Sequence, residues 1–430
     1  MVLLVQLVNN HLKTNLTNRT NPTRSGFKTS DQVQGQGAGR SITRSIHLYV
    51  SIYRRSATQP LGLRWGFETT SNRTIIMYAI SDYNYPLPAE LIAQKPAEHR
   101  DQSNLLVMDR KTEKLSHHRF NALGTFLNPG DVLVVNNTAV IPGRLLGKKD
   151  TGGKVEILIY GFNGNGKPRT IKEDRVYECL VKAAKPPKTG SLFYFDEGLT
   201  AKVIERRNGT YLIRFYTEDD FETLLDRIGE IPLPPYIRRG PELEPPCDDR
   251  TAYQTVYASE KGAIAAPTAG LHFTSELLER LKAKGITIVS ITLHVGYGTF
   301  LPVRAQDIRS HQMHSEAYSI PGQAADQINV ARAAGHRVVA VGTTCVRTLE
   351  YASVSGGYVQ AGNGCCDLFI YPGYRFKAVD AMITNFHLPQ STLLMLVSAF
   401  AGREKLLHAY QEALKRKYRF YSYGDAMLIF

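Results

Sequence analysis

The chain has 430 residues, 43% of them hydrophobic and 10% aromatic, which predicts a globular protein of two or three domains with a sizeable core. The longest apolar run, Leu388–Ala401, is interrupted by Pro389 and falls short of the roughly 18 residues of a membrane span. Five cysteines without a C-x-x-C pair argue against a disulfide framework or a zinc site, and favour a reducing compartment, the cytoplasm.

The net charge of +13 is concentrated near the N-terminus. Residues 1–76 contain ten Lys and Arg against Asp31 and Glu68, and are rich in Asn, Thr and Ser without a sustained period. A transit peptide has a similar composition. We instead expect residues 1–76 to be a disordered extension or an over-long gene start, since regular patterns begin just after Met77. The remaining excess of basic residues is compatible with a nucleic-acid partner, and equally with a solvated surface.

From Ser81 the chain alternates strand and helix patterns, beginning with strands at Leu105–Asp109 and Val132–Asn136. Between residues 145 and 231 the pattern changes to short alternating strands separated by turns, of which Asn208–Gly209 is typical of a hairpin. We predict here a small antiparallel β-barrel or sandwich. Its strands are predicted at Lys154–Tyr160, Val176–Lys182, Leu192–Phe195, Ala201–Arg206 and Tyr211–Tyr216.

After Pro232–Pro235 the helix and strand patterns resume. Helices are predicted at Ser275–Lys284, Ala324–Ala334, Cys345–Ser353, Thr392–Ala401 and Lys405–Lys417, and strands at Thr287–His294, Val338–Val341 and Phe376–Met382. The predicted fold class is α+β: a large mixed-sheet α/β domain, residues 77–144 and 232–430, with the small antiparallel β-barrel domain, residues 145–231, inserted into it.

Three breaker-rich segments carry histidines: Ala266–Thr274, Leu293–Val303 and Ile383–Phe400. The first two mix Gly and Pro with apolar residues, which predicts tight turns at the edge of a core, where rigid scaffolds often hold catalytic groups. In the third, Asn385, His387 and Ser391 flank a breaker that precedes an apolar helix. The alternative is that each histidine is buried and bonded to backbone. Glu316, which follows the second segment, would then form a structural ion pair. The candidate acids and bases, unranked, are His272, His294, Glu316 and His387.

A ligand site is predicted where the strand Val338–Val341 leads into the next helix, because a helix N-terminus suits an anion. We expect Arg347 on the first turn, where a cation opposes the helix dipole, so that an anion would explain it; a salt bridge to Glu350 is the alternative. Thr343 and Thr344 are alternatively simple helix caps. The candidate substrate-binding residues are Asn136, Asn137, Arg144, Thr268, Gly270, Gly296, Gly298, Thr343, Thr344, Arg347 and Asn385.

The segment Asp367–Asp380 interleaves aromatic and basic residues, a combination that stacks on and holds single-stranded RNA. Tyr374, Arg375 and Lys377 are the candidate RNA-binding residues. A strand–turn–strand bending at Pro372–Gly373 is the alternative.

The three histidine-bearing segments, with further segments in the same order from Ser81 to Ile429, resemble the S-adenosylmethionine:tRNA ribosyltransferase-isomerases of queuosine biosynthesis. The resemblance covers roughly residues 77–430 and implies an α+β domain with an inserted β-barrel. In that family the position of Cys345 is commonly Ser, which makes a packing role more plausible here than a nucleophilic one.

The resemblance implies an unusual reaction. The ribosyl portion of S-adenosylmethionine would move onto the aminomethyl group of a 7-deazaguanine at the tRNA wobble position, and adenine and methionine would leave. The sulfonium acidifies the neighbouring ribose carbon, so neither a metal nor a further cofactor is expected. We expect a monomer whose partners are S-adenosylmethionine and this tRNA, with no membrane partner.

Two other classes of function are possible. An ordinary methyltransferase predicts a Gly-rich loop between a first strand and a helix, whereas Gly296–Gly298 is followed by Phe300–Pro302, which does not begin a helix. A non-catalytic RNA-binding module would explain the basic charge and the barrel but not the three histidine-bearing segments.

Overall fold

The computed structural model describes residues 78–160, 175–207, 209–239, 246–296, 298 and 302–430. The predicted extension, residues 1–76, lies outside these described residues, as does Asn208 of the predicted hairpin turn. Within the described ranges, no helix combines the length and the apolar character needed to cross a membrane.

The described residues form a nine-stranded mixed sheet, a closed six-stranded barrel and a two-stranded sheet. The strands are β1 Asn104–Met108, β2 Leu115–Arg119, β3 Val132–Asn136, β4 Thr138–Val140, β5 Arg144–Lys149, β6 Lys154–Ile159, β7 Val176–Ala183, β8 Leu192–Tyr194, β9 Thr200–Arg206, β10 Tyr211–Tyr216, β11 Glu260–Ala263, β12 Thr287–Leu293, β13 Glu316–Ile320, β14 Val338–Val341, β15 Gly362–Cys366, β16 Ala381–Asn385 and β17 Ala426–Ile429. The α-helices are α1 Phe221–Ile228, α2 Asp249–Ala252, α3 Ser275–Ala283, α4 Gly322–Ala333, α5 Gly342–Ala352, α6 Thr392–Ala401 and α7 Arg403–Lys415.

The main sheet has the strand order β15-β13-β12-β3-β14-β16-β17-β1-β2. Its central strands β12, β3, β14 and β16 run parallel to one another. Strand β17 pairs with β16 in the antiparallel direction, so that Asn385 at the end of β16 lies opposite Ala426 at the start of β17. The carboxyl ends of four neighbouring strands therefore meet at one edge of the sheet.

Both faces of the main sheet are covered. In β3 the run Val132–Val135 is entirely buried, and its side chains alternate between two hydrophobic cores. One core contains residues of α4, α5, α6 and α7, and the other contains Leu277 and Leu281 of α3. A strand buried on both faces needs a continuous apolar sequence rather than an alternating one, which is the pattern of β3 and β14.

The barrel has the closed strand order β10-β7-β6-β5-β8-β9, with every neighbouring pair antiparallel. Helix α1 packs onto it through Phe221, Leu224 and Leu225, which share the barrel core. Because the barrel strands fall between β4 and β11 in the chain, the predicted α+β fold with an inserted antiparallel barrel is confirmed. The domain limits at residues 145 and 231 stay a prediction.

Most predicted elements are present within a few residues, and the strand predicted at Phe376–Met382 is wrong. The elements that were not predicted are strands β2, β4, β5, β11, β13, β15 and β17 and helices α1 and α2. Strand β16 begins only at Ala381. The preceding backbone N–H groups of Lys377, Ala378 and Val379 donate to the buried carboxylate of Glu350 instead of joining a strand ladder. A distant side chain therefore decides where this strand starts.

Candidate active site

The carboxyl ends of β12, β14 and β16, together with the turn before β17, border an open pocket. Its empty space is about 850 Å³, a volume that includes open solvent. Open α/β sheets bind ligands at this edge because the strand ends leave a crevice between the following loops. The lining residues are Tyr236, Tyr253, residues 265–269, Val295, residues 342–344, Arg347, residues 384–388, Ser391, Leu393, Tyr421 and Ser422.

The predicted segment Ala266–Thr274 passes the pocket as a short 3-10 helix, Thr268–His272. Its Gly270 admits no side chain, because a Cβ there would collide with the hydroxyl of Tyr257. The hydroxyl of Thr274 then accepts the N–H of Leu277 at 3.1 Å and caps α3. Close packing on one side and a helix cap on the other hold the segment against the sheet edge.

His272 is buried and does not line the pocket. Its Nδ1 lies 2.7 Å from Ser103 Oγ, its ring stacks on Phe120 at 5.0 Å, and its Nε2 lies 3.3 Å from the amide nitrogen of Asn385. An amide donor at Nε2 selects the neutral tautomer that carries its proton on Nδ1. Burial lowers the pKa of His272 to about 4, so the imidazole is neutral near pH 7.

Asn385 connects His272 to the pocket, which it lines itself. Its amide nitrogen also donates to the carbonyl of Tyr421 at 3.0 Å, and its amide oxygen lies 3.4 Å from the hydroxyl of Thr268. The side chain is 2% exposed, so its orientation is set by these bonds rather than by solvent.

His387 lines the pocket directly, two residues after β16. Its Nε2 lies 2.7 Å from Thr384 Oγ1, its backbone N–H donates to Tyr410 Oη at 2.9 Å, and its carbonyl accepts the hydroxyl of Tyr85. Burial lowers the pKa of His387 to about 3. Of the four predicted acid–base candidates, all of which the structure describes, His387 alone lines the pocket.

Glu316 and Arg347 form a buried ion pair between β13 and α5. Glu316 Oε1 also accepts the N–H of Gly296 at 2.8 Å, and Arg347 donates to the carbonyls of Leu368 at 3.1 Å and Cys366 at 3.3 Å. Arg347 lines the pocket, but it is the sixth residue of α5, so its predicted place on the first helical turn is wrong.

Glu350, the alternative partner suggested for Arg347, makes different contacts. The carboxylate of Glu350 accepts three backbone N–H groups and the hydroxyl of Tyr374, whereas Glu316 pairs with Arg347. Sequence spacing within one helix could not reveal this, because the true partner lies on a strand of the sheet.

His294 and the two candidate asparagines lie near the same sheet edge but outside the lining of the pocket. His294 Nδ1 lies 2.8 Å from Thr138 Oγ1, and burial lowers its pKa. Asn136 donates to the carbonyl of Leu293 at 2.9 Å and accepts its N–H at 3.0 Å, while Asn137 bonds Ser259 and Thr292. These amides join β3 to β12.

Thr343 and Thr344 line the pocket at the start of α5, which begins at Gly342. The N-cap, Val341, makes no side-chain capping bond, so neither threonine is the cap of this helix. Cys345 points into the core, fully buried, and burial raises the pKa of its thiol. A thiol in that state is protonated and packs as a small apolar side chain.

The other candidates lie away from the pocket lining. Arg144 on β5 pairs with Glu156 at 2.9 Å and with Glu230. Gly298 is partly buried beside the ring of His314, which a Cβ there would strike. In the loop before β16, Tyr374 bonds Glu350, Lys377 Nζ donates to the carbonyl of Ser353 at 2.7 Å, and Arg375 is exposed.

Sequence reasoning missed an aromatic wall formed by Tyr236, Tyr253, Phe386 and Tyr421, all of which line the pocket. The rings of Tyr236 and Tyr421 are 4.7 Å apart, and the hydroxyl of Tyr236 lies 2.7 Å from Ser422 Oγ. Tyr421 adopts φ of +70°, in the left-handed region that non-glycine residues uncommonly adopt. No local spacing marks these residues, since they come from separate turns.

Among the residues that the structure describes, no group of three or more His, Cys, Asp and Glu side chains is arranged to hold a metal ion. The pocket combines an aromatic wall, the neutral imidazole of His387 and a charge-paired arginine.

The family described as queuosine biosynthesis protein matches residues 80–429. The chain is 52% identical to the S-adenosylmethionine:tRNA ribosyltransferase-isomerase of Trichlorobacter lovleyi over 351 residues, covering 81% of this chain and 99% of that protein. It is 50% identical to the protein of the same name from Geotalea uraniireducens, covering 82% of this chain and 99% of that one.

A crystal structure of S-adenosylmethionine tRNA ribosyltransferase from Thermotoga maritima is 38% identical and covers 81% of this chain and 100% of that chain, with a TM-score of 0.45. The family match spans the whole region that contains the pocket and the barrel. The chain therefore belongs to the family of queuosine biosynthesis proteins.

Proposed function

We propose that this protein is an S-adenosylmethionine:tRNA ribosyltransferase-isomerase. It transfers the ribosyl portion of S-adenosylmethionine to the 7-aminomethyl-7-deazaguanine at the tRNA wobble position, forms epoxyqueuosine there, and releases adenine and methionine. The observation that carries the proposal is the identity of about half of all residues with proteins of that name across 99% of their length.

The aromatic wall suits the sulfonium substrate. A cation placed against the faces of Tyr236, Tyr253 or Tyr421 is attracted by the ring quadrupole, and a flat adenine stacks on the same surfaces. Burial raises the pKa of Tyr236 to about 12, which keeps its phenol neutral at physiological pH. We assign the wall to the adenine and sulfonium ends of S-adenosylmethionine.

We assign the first proton transfer to His387, because it lines the pocket and burial keeps its imidazole neutral. A base of low pKa removes only a proton that is already acidic, and the adjacent sulfonium supplies that acidity to the 5′ carbon of the ribose. His272 acts behind it through Asn385, as a positioning residue. Glu316, already bonded to Arg347 and Gly296, holds the loop after β12 rather than moving protons.

We assign the polar end of S-adenosylmethionine to the start of α5. Gly342, Thr343 and Thr344 line the pocket at this helix start, and a carboxylate is stabilised at a helix N-terminus. The anticodon loop of the tRNA is assigned to the loop that carries Arg375. We expect the enzyme to act in the cytoplasm, to be a monomer and to retain its activity in a metal chelator.

The test incubates the full chain with tRNA bearing the precursor base and S-adenosylmethionine labelled in its ribose carbons. Nucleosides, adenine, methionine and S-adenosylhomocysteine are then separated by liquid chromatography and mass spectrometry. We expect ribose label in the tRNA with equal amounts of adenine and methionine. S-adenosylhomocysteine with label in no nucleoside would instead identify a methyltransferase, and tight tRNA binding without any product would identify a binding module.

The acid–base assignment has its own test. We expect His387→Gln to lower kcat more than the matched replacements of His272, His294 or Glu316, because only His387 faces the pocket. A larger loss in His294→Gln would transfer the role of base to that residue.

A further inference from the structure

The outer surface of the barrel carries an unusual share of large apolar side chains. Of the eleven exposed large hydrophobic residues within the described ranges, five lie on β5, β8, β9 and β10. These five are Leu146, Leu192, Tyr194, Ile204 and Tyr216. Exposed apolar side chains grouped on neighbouring strands, rather than scattered singly, mark a surface that contacts a partner.

Strand pairing arranges these side chains in rows with basic residues. Lys148 on β5 lies opposite Tyr194 on β8, Tyr194 lies opposite Thr200 on β9, and Thr200 lies opposite Tyr216 on β10. Side chains that are directly opposite on neighbouring strands have Cβ atoms about 5 Å apart. One continuous row thus reads lysine, tyrosine, threonine, tyrosine across four strands.

A second row lies beside the first, two residues along each strand. Leu192 on β8 lies opposite Lys202 on β9, and Lys202 lies opposite Arg214 on β10. Neither row contains an acidic residue, and the nearest acids along β5 and β8, Asp150 and Asp196, lie beyond the strand ends. The two rows together, the barrel face, therefore present positive charge interleaved with exposed aromatic rings.

We propose that the barrel face binds the tRNA substrate, as a surface separate from the pocket at the sheet edge. This inference rests on the proposed function, because tRNA is its substrate. Lysines facing solvent attract phosphates through charge, and tyrosine rings standing out from strands stack on unpaired bases. An acidic protein would satisfy the lysines, but the exposed rings in register with them favour a polyanion that also carries flat bases.

The proposal is tested with the full chain and fluorescently labelled tRNA, by anisotropy titrations over a range of salt concentrations. Each phosphate contact contributes about 0.9 to the slope of log affinity against log salt. We expect the double variant Lys148→Ala/Lys202→Ala to lower that slope by about two and to weaken binding roughly tenfold near physiological salt. Lys282→Ala on α3 makes the same kind of change outside the barrel and should leave both quantities unaltered.

The rings are tested separately from the charges. We expect Tyr194→Ala and Tyr216→Ala each to weaken tRNA binding by roughly fivefold or more, whereas Tyr194→Phe, which keeps the ring, loses little. Thermal melting of each variant and its affinity for S-adenosylmethionine check that the fold and the pocket are intact. Unchanged tRNA affinity and salt slope in the lysine and tyrosine variants would overturn the proposal and leave the barrel face as an ordinary solvated surface.

Failure of this inference is distinguishable from failure of the proposed function. If the wild-type chain transfers labelled ribose to tRNA while the barrel-face variants bind tRNA normally, only the surface assignment is wrong. If the wild-type chain transfers nothing but the variants lose tRNA affinity, the surface stands and the reaction assignment fails.

Discussion

At the scale of single residues, burial decides the chemical state of the candidate site. Water favours the charged imidazolium, so moving a histidine into the protein interior favours its neutral form. His272 and His387 are buried, and their pKa values fall to about 4 and about 3. The site therefore presents neutral imidazoles held by hydrogen bonds to Ser103 and Thr384.

This state predicts how stability depends on pH. In the unfolded chain these histidines have the ordinary pKa of about 6.5. Below that pH the unfolded state therefore binds more protons than the folded state. The free energy of unfolding should therefore fall as the pH is lowered from 6.5 towards 4, the pKa of folded His272. Urea denaturation at a series of pH values measures this slope.

The matched variants are His272→Asn, which removes the titration of one buried histidine, and His408→Asn, which removes an exposed histidine on α7. We expect a flatter pH dependence only in the first. An equal slope in the wild type and His272→Asn would mean that His272 does not titrate as its burial requires.

Asn385 offers a second residue-scale prediction. Its amide is the described link between His272 and the pocket, so Asn385→Ala should lower kcat by about ten- to a hundredfold, by analogy with the loss of supporting groups around catalytic ligands. Affinity for tRNA should stay unchanged. Steady-state kinetics with each substrate varied in turn separates the two effects.

Asn329→Ala is the control for this variant. The side-chain amide of Asn329 also donates and accepts: it donates to the carbonyl of Val359 and accepts the N–H of the same residue. Asn329 lies outside the pocket. If both alanine variants lowered kcat alike, Asn385 would have only a structural role.

At the scale of elements, buried charges fix how helices and strands join. Arg347 of α5 forms an ion pair with Glu316 of β13. One turn further along α5, the carboxylate of Glu350 accepts three backbone N–H groups of the loop before β16. These contacts attach a single helix to both an antiparallel strand of the sheet and the loop that carries the candidate RNA-binding residues. Helix α5 therefore links the pocket to that loop.

We predict that Glu350→Gln lowers the free energy of unfolding by about 2–4 kcal/mol, because the amide nitrogen that replaces one oxygen cannot accept the backbone N–H groups aimed at it. The loop should also lose its fixed position, which would weaken tRNA binding. Chemical denaturation gives the first effect and anisotropy the second.

The control is Glu404→Gln on α7, where the carboxylate is 73% exposed and pairs with Arg403 at 3.0 Å. A surface pair of this kind contributes less than about 1 kcal/mol. Comparable destabilisation in both variants would contradict the role given to Glu350.

At the scale of the whole molecule, the family match begins at residue 80. The alignment with the protein from Trichlorobacter lovleyi uses 81% of this chain and covers 99% of that protein. The reaction should therefore need only the part of the chain that follows Met77. We predict that a chain lacking residues 1–76 transfers ribose at the wild-type rate, as the label assay measures.

The contrasting deletion extends to residue 86. It also removes Tyr83 and Tyr85, which are buried in the main core, and Tyr85 bonds the carbonyl of His387. We expect that shorter chain to lose its activity and most of its stability. Loss of activity already in the first deletion would show that residues 1–76 take part in function.

Several elements could be predicted because their cause is local. The limits of β3, β14 and α6 match the predicted ones, since a continuous run of β-branched residues or a capped apolar stretch carries its own signal. Helix α6 begins where the hydroxyl of Ser391 accepts the N–H of Leu394 at 3.2 Å. Strand β2, Leu115–Arg119, has no such signal, because it is a polar edge strand defined by its pairing with β1.

The sequence by itself determined the fold class and the three histidine-bearing segments, because apolar periodicity and turn residues act between near neighbours in the chain. It also determined the family, through the resemblance of its ordered segments. Only the tertiary structure decided that His387 faces the pocket while His272 reaches it through Asn385, and that Arg347 pairs with Glu316 rather than Glu350. The aromatic wall and the barrel face also follow from it. The physical reason is that burial and ion pairing depend on distances in space, which strand order sets and chain spacing does not.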